Sequence, residues 1–338
     1  MCHPLPRDLK RMDITMKKLI KNLSVLLIPL SLYLLFSIAA PNRFGHINSM
    51  FVIFQQSLIP MVIGLGMCFS MTAGLFDLSV GAEIILASIL GGMACSRFGL
   101  AGLIIGCILG GVMITLITGT LYRLLRIPSL VVSMGMVMVY EVISTALLGR
   151  TGLIMLAKEH SFLGNPPYNI MIVAVACTIF YLLFYRTKFS HHLRAVGSEE
   201  RLAVSVGINA KKIKFLAYLS GGVFIGIAAL MTISFAGSAG TKLNMESLTM
   251  VFQPMMGLMI GLELQRSTNL IVGIFIGEFA IAMIFTGLIA MGMPGTMQDV
   301  VLGMFLLIVM IITNNRPAME GVSRRIKNRF ARKPATNS

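Results

Sequence analysis

The chain has 338 residues, of which 56% are hydrophobic and 12% charged, and its net charge is +15. Soluble domains carry about 25% charged residues, so this composition, with a mean hydropathy of +0.86, excludes the soluble enzyme classes and predicts an all-α, polytopic membrane protein. The positive charge does not point to nucleic acid, because the basic residues gather in the tails and in short loops between apolar runs.

Residues 1–22 form a basic tail with Arg7, Lys10, Arg11, Lys17, Lys18 and Lys21. The apolar run 23–40 resembles a signal peptide ending at Ser37-Ile38-Ala39-Ala40. It is longer than the usual apolar core of about 7–15 residues, and more apolar runs follow, so it is read as an uncleaved first helix. About 20 apolar residues cross a bilayer as a helix. On that rule the chain holds about ten spans: 23–40, 51–72, 82–97, 99–121, 128–148, 168–186, 213–235, 247–263, 268–290 and 296–314. They compose one transmembrane region, 23–314, followed by a second basic tail, 315–338. With the N-terminus inside, 23 of the 28 Lys and Arg residues fall on the inner side. Arg43, Arg97, Arg150, Lys158 and Lys242 fall outside, and this asymmetry predicts that both termini are cytoplasmic.

After the second span comes Thr72-Ala73-Gly74-Leu75-Phe76-Asp77-Leu78-Ser79-Val80-Gly81-Ala82-Glu83. Carboxylates at membrane depth are rare and point to function, and glycines allow a backbone break where protein or a cavity surrounds it. Gly74, Asp77, Ser79, Gly81 and Glu83 are therefore candidates for a broken helix or the translocation path. Asp77 either caps a helix starting near Leu78 or touches solute. Glu141 and Glu278 lie mid-span and are expected to face the bundle interior. A proton or ion relay would use such carboxylates, and a pair or a subunit contact would also explain them. All five histidines fall outside the spans, and the five cysteines make no CxxC or Cys/His cluster. No HExxH, GxSxG or Walker sequence appears, so no catalytic residue, metal site or cofactor of the chain's own is expected.

The longest inner connection is 187–212. Ser198 can cap a short helix there, with Glu199 and Glu200 in its first turn and Gly207 at its stop. The pattern predicts a short helix along the cytoplasmic face, with a solvated loop as the alternative. A weak internal echo sets Asp77-Leu78-Ser79-Val80-Gly81 beside Asn269-Leu270-Ile271-Val272-Gly273. Pro60-Met61 and Gly64-Leu65 likewise echo Pro254-Met255 and Gly257-Leu258, as in transporters built from repeats.

Gly74-Leu75-Phe76-Asp77-Leu78-Ser79-Val80-Gly81 resembles the Gly-Gly-Ile-Asp-Leu-Ser-Val-Gly-like segment of the permease subunits of bacterial ABC importers of the ribose, other-monosaccharide and autoinducer-2 class. Ala195-Val196-Gly197-Ser198 through Gly207-Ile208-Asn209, with Lys212, Tyr218 and Ser220-Gly221-Gly222, resembles the family's coupling element. Gln298-Asp299-Val300-Val301-Leu302-Gly303 resembles the start of its last span. The chain departs from the family at Leu75, at Glu83 and over Gly261–Asn269, where a glycine-rich turn is missing. The resemblance implies an inner-membrane permease that works by alternating access on a small polar solute such as a monosaccharide. Its implied partners are cytoplasmic ATPase subunits, which hold ATP and Mg, an extracytoplasmic solute-binding protein, and a second permease copy or a paralogous one. In the coupling segment Gly197, Ala203 and Gly207 would permit close approach, and Glu199, Glu200 and Arg201 would make polar contacts. The competing reading is a proton- or sodium-coupled secondary transporter that uses Asp77, Glu141 and Glu278.

Overall fold

A computed structural model describes residues 27, 29–40, 44, 47–125, 127–265, 268–294, 297, 300, 301, 303, 304 and 307. The helices are α1 (Pro29–Ala39), α2 (Ile47–Thr72), α3 (Val80–Leu125), α4 (Ser129–Leu148), α5 (Tyr168–Tyr185), α6 (Lys188–Ser198), α7 (Glu200–Ser205), α8 (Ala210–Ala236), α9 (Thr249–Leu264) and α10 (Leu270–Ala290). Between them lie two short 3-10 turns, Lys158–Gly164 and Glu246–Leu248. Two three-residue strands, β1 (Leu153–Met155) and β2 (Ser238–Gly240), pair antiparallel with Ile154 opposite Ala239. The chain divides into two compact units, Met1–Gly292 and Met293–Ser338, and every element named here belongs to the first.

Seven of the described helices are long and apolar enough to cross a membrane. α3 alone has 46 residues, a length of about 69 Å at 1.5 Å per residue, roughly twice the thickness of a bilayer core. It breaks at Gly99, where φ is +60° and ψ −146°, a conformation that glycine adopts without a steric penalty. The two limbs then fold back on one another. A Cβ at Gly91 would lie 2.1 Å from the Cys107 sulfur, so a larger residue there would drive them apart. The expected spans 82–97 and 99–121 are these two limbs. The expected span 23–40 is described only in part, as α1, and about two thirds of 296–314 lies outside the described residues, as do both basic tails in full.

The second limb of α3 packs against α8 at backbone distance. A Cβ at Gly111 would sit 2.5 Å from the Gly226 nitrogen, and one at Gly222 would sit 2.0 Å from Thr115 Oγ1. Small residues at such positions let helices approach where no hydrophobic effect drives them together. An aromatic cluster ties α2, α5, α6 and α8 together: Phe69 lies 5.3 Å from Phe180, 5.9 Å from Phe184, 6.2 Å from Phe189 and 5.7 Å from Phe224, between ring centroids. Phe189 belongs to α6, so this cluster anchors the 187–212 connection to the bundle.

The sequence echo has a structural counterpart. Pro60 and Pro254 both lie inside helices, α2 and α9, and each helix is followed by a turn and a second long helix. Asn269 stands at the N-cap of α10. Gly64 and Gly257 both face Glu278, with a Cβ at either reaching its Oε1 at 3.4 and 2.1 Å.

Candidate functional site

α2 ends in a Schellman turn, in which Gly74 N–H donates to the Met71 carbonyl at 3.0 Å and Leu75 N–H to the Ser70 carbonyl at 2.9 Å. The chain then runs extended to Val80. Asp77 Oδ1 accepts from the Ser79 amide at 2.9 Å and from the Ser79 hydroxyl at 2.5 Å. The helix starts two residues later than the pattern predicts, so Asp77 closes an Asx-type turn ahead of α3, and Ser79 holds the cap position, accepting from Glu83 N–H at 2.9 Å.

Glu83 is wholly buried. Its Oε1 accepts from Thr118 Oγ1 at 2.7 Å and lies 3.0 Å from Ser79 Oγ. Thr118 lies 2.8 Å from the Tyr140 hydroxyl, which donates to the Ile114 carbonyl at 2.8 Å. Glu83 Oε2 has no hydrogen-bond partner among the described residues. One polar chain thus links the turn before α3, both limbs of α3, and α4. Ser79 has one hydroxyl proton between two carboxyls, so it can donate to only one at a time. Gly66, Ser70, Asp77, Thr115, Tyr218 and Gly221 are among the residues around a neighbouring cavity of about 10 Å³, about enough for one water.

Glu141 has a different task. Its Oε2 accepts from the Met245 amide at 2.9 Å, and its Oε1 accepts from the Ser247 amide at 3.1 Å and the Ser247 hydroxyl at 2.6 Å. These bonds hold a short segment in which Asn244 and Met245 both have positive φ, at 59° and 63°. Such conformations cost non-glycine residues of order 1 kcal/mol each, and the carboxylate supplies the compensation. Gly81 touches the same place, since a Cβ there would lie 2.1 Å from the Ser247 carbonyl oxygen. The signature segment, Glu141 and the turn before α9 therefore meet at Ser247.

Glu278 is wholly buried against Gly64 and Gly257, and neither of its oxygens has a hydrogen-bond partner among the described residues. It is not brought together with Asp77, Glu83 or Glu141 by any bond between them. Among the described residues no group of His, Cys, Asp and Glu is arranged to hold a metal.

The 187–212 connection is two short helices, α6 and α7, where the pattern predicts one. Ser198 is not a cap: it ends α6, and its hydroxyl donates back to the Ala195 carbonyl at 3.1 Å. Glu199, extended at φ −156°, takes the position before α7. Gly207, at φ +88°, stops α7 in a second Schellman turn, with Gly207 N–H on Val204 O at 3.0 Å and Ile208 N–H on Ala203 O at 3.0 Å. Ala203 is buried, whereas Glu199, Glu200 and Arg201 are exposed. Glu200 pairs with Lys214 at 2.8 Å. α6 meets the signature segment without a side chain between them: a Cβ at Gly197 would lie 1.8 Å from the Thr72 carbonyl oxygen.

Sequence reasoning found all of these carboxylates but missed Ser247, Thr118 and Tyr140. Their only signal is a hydroxyl in or beside an apolar run, which many unrelated positions share.

The fold is a polytopic helix bundle with a broken helix joined at its turn to a pair of short helices. A family described as "Branched-chain amino acid transport system / permease component" matches residues 49–310, and the chain belongs to it. The fructose import permease protein FrcC of Rhizobium meliloti is 26% identical over 297 residues, covering 82% of this chain and 81% of that one. The autoinducer 2 import system permease protein LsrC of Yersinia enterocolitica is 27% identical over 323 residues, covering 92% and 88%. Its counterpart from Yersinia pestis is 26% identical over 296 residues. No solved structure matches the chain. The family expected from the motifs is confirmed. The chain is a multi-pass inner-membrane permease subunit of the ABC importer type, a transport component rather than an enzyme.

Proposed function

We propose that this permease forms the path for a monosaccharide delivered by an extracytoplasmic binding protein. The relatives whose names specify fructose and autoinducer 2 import carry the choice of solute, and the family match over residues 49–310 supports the permease role. The working unit contains two permeases, as two copies or as a paralogous pair, and cytoplasmic ATPase subunits that hold ATP and Mg. The chain itself binds neither. It has about ten spans with both termini in the cytoplasm, which puts α6 and α7 on the ATPase side.

Closure of the ATPase dimer pulls on Gly197–Gly207, and the backbone contact at Thr72 passes the movement to the segment that carries Asp77 and Ser79. Ala203 and Gly207 allow close approach, while Glu199 and Arg201 make polar contacts to the ATPase. Asp77, Ser79, Glu83 and Gly81 support the broken helix beside the path, and Glu141 and Glu278 support the packing around it.

Gly207→Trp tests the coupling role. The open space around Gly207 admits a side chain, but the positive φ and the new bulk disturb the face that docks. The expected outcome is normal membrane insertion with at least about a tenfold loss of ATP-dependent uptake in vesicles, a change of about 1.4 kcal/mol. Gly207→Asn, which tolerates this backbone region, is expected to retain most uptake. Unchanged uptake by Gly207→Trp would overturn the assignment.

A further inference from the structure

A pocket of about 260 Å³ lies where the end of α3, α7 and the start of α8 meet, lined by Tyr122, Arg123, Ile127, Glu200, Lys211 and Lys214. Among the described residues three cations thus face one carboxylate. Lys214 already serves that carboxylate, 2.8 Å from Glu200 Oε2, and also donates to the Tyr122 hydroxyl at 3.3 Å. Arg123 and Lys211 are exposed, and neither forms an ion pair among the described residues.

The placement of the lysines is costly. α8 opens at Ala210, with Asn209 capping the Lys212 amide at 3.1 Å, and its opening residues include Lys211, Lys212 and Lys214. Cations at a helix N-terminus oppose the helix dipole. An anion in the pocket turns that repulsion into attraction.

The pocket's place in the bundle identifies the anion. Tyr122 and Arg123 end the second limb of α3, a helix apolar enough to cross a membrane, whose Ile105, Leu109, Met113 and Ile117 are exposed. A lipid beside this limb keeps its acyl chains against apolar side chains and can bring its headgroup to the cations at the limb's end. Basic pockets between spans on the cytoplasmic side suit anionic headgroups.

We propose that this pocket is a binding site for the phosphate headgroup of an anionic inner-leaflet phospholipid. The site rests on the orientation given above, with α6 and α7 in the cytoplasm.

The test uses the intact importer in nanodiscs of phosphatidylcholine containing phosphatidylglycerol, with native mass spectrometry counting retained phosphatidylglycerol. Each cation removed is expected to weaken retention about fivefold, so Arg123→Gln with Lys211→Gln should lower it by about twenty-five-fold. Lys188→Gln, an exposed cation at the same end of the bundle but outside the pocket, should leave it unchanged. Retention unaltered in the double variant, or equally lowered in Lys188→Gln, overturns the proposal. So does a double variant that keeps the lipid but sheds the ATPase, because the pocket is then a protein contact. Labelling of Lys211→Cys by a membrane-impermeant maleimide in intact cells reports separately on orientation. Reaction from outside removes the inner-leaflet assignment, and labelling only after lysis upholds it.

Discussion

Replacing Glu141 by Ala leaves two amides and one hydroxyl, at Met245 and Ser247, without their acceptor. Each abandoned donor costs of order 1 kcal/mol, so Glu141→Ala is expected to destabilise the purified protein by about 3 kcal/mol. Glu141→Gln keeps one acceptor oxygen and is expected to lose about half as much. Thermal unfolding in detergent separates the two, and equal, negligible losses would show that the bonds carry no stability. The carboxylate was legible as an inward-facing group, since a charge at mid-span has few other options. Its partner was not, because the bond joins residues 106 apart and no local pattern marks a Ser247 amide as a donor. Asp77 was legible in kind and displaced in detail. Its side chain does cap an amide, but that of Ser79, two residues ahead, because the extended run reaches Val80 before the helix begins.

Between elements, the closest approaches are made by glycines, and Gly197 against Thr72 is the sharpest of them. A methyl group at Gly197 cannot fit without moving α6 away from the end of α2. Overpacking of this kind costs about 1–3 kcal/mol. Gly197→Ala is therefore expected to raise ATP hydrolysis relative to solute moved, by about threefold or more, because the joint no longer seats. The ratio of phosphate released to solute taken up in proteoliposomes checks this, and an unchanged ratio would free Gly197 from any part in transmission. Helix existence along the chain was legible from apolar length alone. The split of 187–212 into two helices was not. Ser198 has the chemistry of a cap, yet its hydroxyl bonds backward to Ala195, as serines at helix ends often do, and Glu199 makes the corner.

For the whole molecule, the alternatives differ in what drives uptake. An importer permease needs its ATPase, whereas a secondary transporter would draw on an ion gradient through its carboxylates. Glu141 is committed to three donors and Glu83 to the Ser79–Thr118 chain, which leaves no continuous line of carboxyls joining Asp77, Glu141 and Glu278. Uptake in cells is therefore expected to persist when an uncoupler collapses the proton gradient and to fail when ATP is depleted. The reverse pattern would refute the importer mechanism. The bundle as a whole was legible because the bilayer sets helix length. Which helices touch was not, since α3 meets α8 through glycines that look alike everywhere in the sequence.

The peptide at Ser247 is gripped unequally from its two sides. Towards α4 it is tied by hydrogen bonds, and with Met245 there are three to break. Towards α3 it rests on Gly81, with no hydrogen bond between them among the described residues. At about 1 kcal/mol per bond, the α4 side is held by about 3 kcal/mol, which corresponds to roughly one parted molecule in 150. On the other side the peptide is held by packing alone, backbone against backbone, with the Val251 side chain alongside. A side chain at position 81 would force the two backbones apart.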